Sequence, residues 1–185
     1  KDLKNSYYVT PTNNASAMTN TVTVGAGLID VSKTNDVVTG NVPGNASNLK
    51  LGSWNFKVTG EAIDIRTLVF KITTTGTVVP TGLDSLSLVD KTGKVLTSGQ
   101  DGVGAASPGY ATSTDTFTLQ PGDNVLTVQG KIDSTAVAND TVLIGLDMAG
   151  TVNFDARGTQ SANTINTGND NGATPASVVS ANTLK

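Results

Sequence analysis

Cysteine and histidine are both missing from the 185 residues, and glutamate occurs once, at Glu61. Without a thiol or an imidazole, the common nucleophile–base pairs cannot be assembled, and nearly all zinc, copper and iron sites lose their ligands. A disulfide-stapled fold is excluded as well. Charged residues make up 15% of the chain, below the typical quarter of a soluble domain. The twelve Lys and Arg are spread singly, and a phosphate backbone needs clustered cations, so nucleic acid is not an expected partner. No apolar run approaches the ~20 residues of a bilayer-crossing helix, so no membrane span is expected. The first residue is Lys rather than Met, which fits removal of a leader.

What is present is β-forming. Thr, Val, Gly and Asn abound, while good helix formers are scarce in the apolar runs. A compact domain of this length buries roughly 70% of its unfolded surface, enough for a core without disulfides. The expectation is one all-β domain, an antiparallel β-sandwich (Ig-like or jelly-roll-like) of about ten strands. It spans 25–185, with a polar loop near 155–175 and a strand-like N-terminal arm over 1–24.

Residues 49–75 organise the chain. They hold the only Trp, the only Glu and the best apolar alternation. Trp54, Phe56 and Val58 share one phase, Ile63 and Ile65 a second, and Leu68, Phe70 and Ile72 a third. Successive strand side chains point to opposite faces, so each set covers one face of a sheet. The phase slips at Gly52-Ser53 and Arg66-Thr67 predict bulges. Two long strands joined at Gly60-Glu61 should carry the centre of the sandwich.

Around them, short strands are expected at 15–24, 28–32, 36–42, 114–119, 123–132, 141–148 and 176–184. Residues 84–89 and 94–98 read as a hairpin about Asp90-Lys91-Thr92-Gly93, a type I turn closed by a left-handed glycine. The stretches 76–82, 99–113 and 133–139 read as loops. Turn signals every ~8 to 12 residues, without helical periodicity, favour a sandwich.

Candidate chemistry is sparse. Glu61 and Asp64 have the spacing of paired carboxylates, but a lone Glu in a connecting turn is expected to be solvated, and no enzyme activity is expected. Calcium is the one ion suited to Asp/Asn-rich loops; its candidate ligands are Asp101, Asp133, Asp140 and Asp170, against the alternative that these Asp simply form turns. Asn14, Asn45 and Asn139 head Asn-x-Ser/Thr triplets and are candidate N-glycosylation acceptors, although chance supplies such triplets in a chain this rich in Asn and Thr. The low-charge, Thr/Ser/Asn/Gly-rich composition points to an extracellular or cell-surface setting.

The runs Val24-Gly25-Ala26-Gly27-Leu28, Asn41-Val42-Pro43-Gly44-Asn45, Leu51-Gly52-Ser53-Trp54-Asn55-Phe56-Lys57-Val58, Glu61-Ala62-Ile63-Asp64-Ile65 and Leu119-Gln120-Pro121-Gly122-Asp123 resemble β-sandwich modules of surface-layer-like secreted proteins of bacteria and archaea. With a strand-like arm, the single module is also similar to subunits of donor-strand-exchanged extracellular filaments, of pilus, thread or cannula type. The resemblance implies a structural subunit whose partner is itself, assembling into a filament, tube or surface lattice. Tyr7, Tyr8, Val9, Met18, Val22 and Val24 would be the arm's anchors. The alternative is a secreted carbohydrate-binding or adhesive module contacting glycans on other cells. For that role Tyr110 is the best-placed aromatic, since Trp54 and Phe56 alternate as core residues do.

Overall fold

The computed structural model describes residues 27–36, 41–42, 45–165 and 178–180. Two antiparallel sheets face each other across one continuous apolar core. The first sheet has the order β1 (Leu28–Lys33), β2 (Leu49–Thr59), β7 (Gly122–Ile132), β4 (Leu83–Asp90). The second is built around β3 (Ile63–Thr75). One side of β3 pairs with β5 (Gly109–Ser113) and β6 (Phe117–Leu119), and it also pairs with β8 (Thr141–Asp147) and β9 (Phe154–Gly158). The short strands β10 (Thr164–Ile165) and β11 (Val178–Ser180) pair with β9 and β8. The chain is therefore an all-β sandwich, as its alternation predicts.

The two organising strands lie in opposite sheets. Trp54, Phe56 and Val58 of β2 are buried, and they share the core with Ile63, Ile65, Leu68, Phe70 and Ile72 of β3. Each large apolar side chain removed from water contributes about 1.5–3 kcal/mol, so a strand with five inward residues strongly resists a register slip. The connection between the sheets turns at Gly60, whose φ of 88° lies in the left-handed region.

Both phase slips have structural causes. Against β9, register shifts between Ile65 and Thr67, so Arg66 is the extra residue and points outward. This lets both Ile65 and Leu68 face the core, three positions apart. In β2 the shift against β7 falls between Lys50 and Gly52, one residue earlier than the pattern suggests. The turn after β4 closes as expected: Gly93 has φ 85°, its amide donates to Asp90 O at 3.0 Å, and the amide of Asp90 donates to Lys94 O at 3.0 Å. Residues 94–98, expected as the second strand, are not strand and form one isolated bridge with β4, at Val95.

Three expectations are corrected. Residues 109–113 form β5 on the edge of β3 rather than part of a loop, because Gly109, Ala111 and Ser113 are small enough to face the core. Residues 154–158 form β9, and Ala156 and Ile165 are buried, so the first part of the polar stretch 155–175 is sheet. Residues 41–42 and 36 are not strand; 37–40 lie outside the described residues. Between β8 and β9 a single helical turn, α1 (Gly150–Asn153), leaves Val152 exposed while Phe154 is buried.

Candidate functional site

Two features of the sandwich stand out as places where chemistry or contact is concentrated: the junction at Glu61, and the edges of the four-stranded sheet.

Glu61 sits in the turn between β2 and β3, and it is buried rather than solvated as expected. Its carboxylate is met by four donors. The amide of Gly27 reaches Oε1 at 3.3 Å, the amides of Gln160 and Ser161 reach Oε2 at 2.6 and 2.9 Å, and the Ser161 hydroxyl donates to Oε1. Two glycines make the space. A Cβ on Gly158 would lie 2.2 Å from Oε1, and one on Gly27 would lie 3.1 Å from Glu61 Cγ and 3.2 Å from Ile63 Cδ1. The Ser161 hydroxyl first, then the Ser161, Gln160 and Gly27 amides, hold the carboxyl down at about 2 against the opposing effect of burial. A general acid needs the opposite displacement. Asp64, the second member of the pair, accepts instead from the Thr118 hydroxyl at 2.6 Å, across the β3–β6 pairing.

The four-stranded sheet has unlike edges. Along β4 the returning chain at 94–100 covers the edge: Leu86 and Gln100 exchange both backbone bonds at 2.8 and 2.9 Å, and the amide of Leu96 donates to Leu88 O at 2.8 Å. The Leu88 amide finds the Thr97 hydroxyl at 2.9 Å. Asp115 pins this return through the amide and hydroxyl of Ser98, each at 2.6 Å, and the hydroxyl first and the amide second lower its pKa. At the other edge β1 pairs only with β2 among the described residues. Thr34 donates its amide to Ser53 O at 3.0 Å. That bond sets the phase of the ladder, so the peptide groups of Leu28, Asp30 and Ser32 face β2 and those of Ile29, Val31 and Lys33 face away. Ile29 is buried and Val31 is partly buried against the core, whereas Leu28, Asp30 and Ser32 are exposed.

Among the described residues no group of three or more His, Cys, Asp or Glu side chains is positioned to hold a metal ion. Asp101 accepts from the Ser85 amide at 2.9 Å, and Asp133 accepts from the Thr135 amide at 2.6 Å and the Ser134 hydroxyl at 3.2 Å. Asp140 ties two loops together. It takes the amides of Thr77, Val78 and Val137, each at 3.0 Å, and the Thr77 hydroxyl at 2.7 Å. The Val137 amide first, then the Thr77 hydroxyl and amide, lower its pKa to about 2. Asp170 lies outside the described residues, as do Asn14 and the arm residues Tyr7, Tyr8, Val9, Met18, Val22 and Val24. Asn45 and Asn139 are exposed, each with a left-handed backbone (φ 67° and 76°). Tyr110 is half-exposed on β5 beside exposed Val103, with which it exchanges backbone bonds of 2.7 and 2.9 Å. Trp54 and Phe56 are fully buried, so neither offers a face to a sugar ring.

Sequence reasoning missed the Glu61 junction. Its donors lie 34, 99 and 100 residues away, and no local pattern marks them.

No helix among the described residues is long and apolar enough to cross a membrane. No protein-family model matches the chain, and no curated protein matches it. Among solved structures, the crystal structure of Spo0M, a sporulation control protein from Bacillus subtilis, matches with 19% identity and a TM-score of 0.28, over 77% of this chain and 49% of that one. The chain thus spans about half the length of that neighbour, and a likeness this slight carries no argument about function. The assignment to the all-β sandwich class rests on the two antiparallel sheets themselves.

Proposed function

We propose that this protein is a structural subunit of an extracellular filament, tube or surface lattice, self-assembling by strand exchange between neighbouring copies and working without catalysis. The observation that supports this reading is the asymmetry of the four-stranded sheet: its β4 edge is covered by the chain's own return, whereas among the described residues β1 is hydrogen-bonded only to β2 and turns the backbone groups of partly buried Val31 and exposed Lys33 away from it. An open edge presents a row of backbone donors and acceptors that another strand satisfies. A head-to-tail exchange that does not close gives a filament. The ionisable groups fit the same reading, because Glu61, Asp115 and Asp140 are engaged in tying segments of the sandwich together.

The test is negative-stain electron microscopy of the purified 185-residue protein over a wide concentration range, with and without millimolar calcium. Filaments, tubes or sheets are the expected result. Monodisperse particles under every condition overturn the reading and turn attention to glycan binding around Tyr110.

A further inference from the structure

The two sheets meet along a flank formed by the outer strands of both. Among the described residues β1 ends the four-stranded sheet. In the other sheet β8 and β9 pair with the same side of β3, opposite β5 and β6, and carry β11 and β10 as outermost strands. β1 lies against β11.

Glu61 stands at one end of this flank. Its Oε1 takes the Gly27 amide, one residue before β1, and the Ser161 hydroxyl, from the turn between β9 and β10. Its Oε2 takes the amides of Gln160 and Ser161 from the same turn. One buried carboxylate therefore receives donors from the margins of both sheets. Packing repeats the connection: a Cβ on Gly158, at the end of β9, would lie 2.2 Å from Oε1, and one on Gly27 would lie 3.1 Å from Glu61 Cγ.

The segments so joined are lightly held otherwise. In β1 Ile29 is buried and Val31 is partly buried, whereas Leu28, Asp30, Ser32 and Lys33 are exposed. β10 is two residues long, and the turn before it is closed by the Gly158 amide on Asn163 O and the Ala162 amide on Gly158 O, both at 3.0 Å. Segments with few buried apolar side chains open locally at less than the cost of global unfolding. A buried carboxylate keeps its place only while its oxygens are satisfied. If the turn withdraws, three of the four donors leave with it, the charged group turns to water, and Gly27 loses its acceptor. If β1 withdraws, water reaches Oε1 and loosens the hold from the other side.

We propose that Glu61 is a clasp that makes β1 and the β9–β10 turn one opening unit, so that these margins of opposite sheets loosen together while the β4–β7 and β3–β8 ladders stay closed. Such coupling is reciprocal, so a contact made at either margin is felt at the other. The clasp acts within one chain and does not depend on self-assembly.

Native-state hydrogen exchange of the full chain tests it. Gly158→Ala acts from the β9 side: the three atoms nearest its Cβ belong to Glu61 and Ser161, so it displaces the carboxylate while β1 is altered only through that carboxylate. The amides of Leu28, Asp30 and Ser32, which face β2, are expected to exchange about fivefold faster or more, the scale of one lost hydrogen bond. Those of Gly158 and Ala162 should accelerate with them, and the β4–β7 amides should not. Faster exchange at 158–162 with β1 unchanged, or equal acceleration in every ladder of the folded protein, overturns the proposal. Should Gly158→Ala fail to fold, Glu61→Gln and Ser161→Ala are held to the same criteria, since each removes part of the clasp without adding bulk.

Discussion

The carboxylate of Glu61 accepts both the amide and the hydroxyl of Ser161, a residue one hundred positions further along the chain. With the Gly27 amide on the same carboxylate, this single side chain joins the start of β1, the turn between the sheets and the turn that follows β9. A buried carboxylate is costly unless its oxygens are satisfied, and here backbone amides and a hydroxyl supply that satisfaction.

Glu61→Gln should cause the largest fall in thermal midpoint of any single carboxylate-to-amide replacement in the described residues. The amide cannot accept through both of its heavy atoms, so donors are left unmet. Thermal unfolding of the Gln variants at 61, 64, 101, 133 and 140 (Asn where Asp is native) ranks them.

The pH dependence has a defined sign. Glu61 and Asp140 are both lowered to about 2 in the folded chain, below their unfolded values near 4. Their stabilisation is therefore complete above about pH 5 and is lost as pH falls toward the folded values. The chain has no histidine, so the thermal midpoint should be flat from about pH 5 to 8 and should decline from about pH 4.5 to 2. Glu61→Gln should flatten part of that decline. A midpoint that changes steeply between pH 6 and 7 would contradict the assignment.

Glycine replacements separate crowding from backbone conformation. A Cβ on Gly102 would lie 2.1 Å from Pro80 O, and one on Gly109 would lie 2.2 Å from Pro80 Cβ. Alanine at either should cost about 1–3 kcal/mol through overpacking. Gly93 has open space around it but φ 85°, so Gly93→Ala should cost about 1 kcal/mol and Gly93→Asn less. Urea denaturation at equilibrium measures all four.

Burial ranks two apolar residues just as clearly. Phe70 is 0% exposed and Val152 is 83% exposed. Phe70→Ala should cost about 3–5 kcal/mol, and Val152→Ala should stay within about 0.5 kcal/mol of the parent. Similar effects at both sites in the same denaturation assay would overturn the assigned burial of Phe70 and exposure of Val152.

Asp140→Ala should loosen one end of the sandwich without unfolding it. The amides of Thr77, Val78 and Val137 lose their shared acceptor, so their hydrogen exchange should accelerate while the β4–β7 ladder keeps its protection.

The strands that could be read from sequence are those whose inward residues are large. β2, β3, β7 and β8 bury Trp, Phe, Leu, Ile and Val in period two, and the slip at Arg66 shows because large residues flank it on both sides. The slip in β2 reads one residue late because Leu51, Gly52, Ser53 and Trp54 are all buried in succession, so the alternation is blurred there. β5 and β9 escape notice because Gly, Ala and Ser fill several of their inward positions; pairing with β3 buries them, and composition gives no sign of it. The outward phase of β1 likewise depends on the one bond from Thr34 to Ser53, a tertiary fact that spacing cannot supply.

The place of β3 also has a consequence in time. Among the described residues, every strand that pairs with it lies later in the chain, no nearer than Gly109 and as far as Gly158, and its sequence neighbour β2 sits in the other sheet. As the chain emerges during synthesis, thirteen residues that include Ile63, Ile65, Leu68, Phe70 and Ile72 wait without a partner while the later segments are made. Because these pairings are non-local, folding should be slow, on the order of milliseconds to seconds. During that interval β3 is the segment most exposed to pairing with the wrong chain, and a polypeptide interrupted before β9 would keep that hazard.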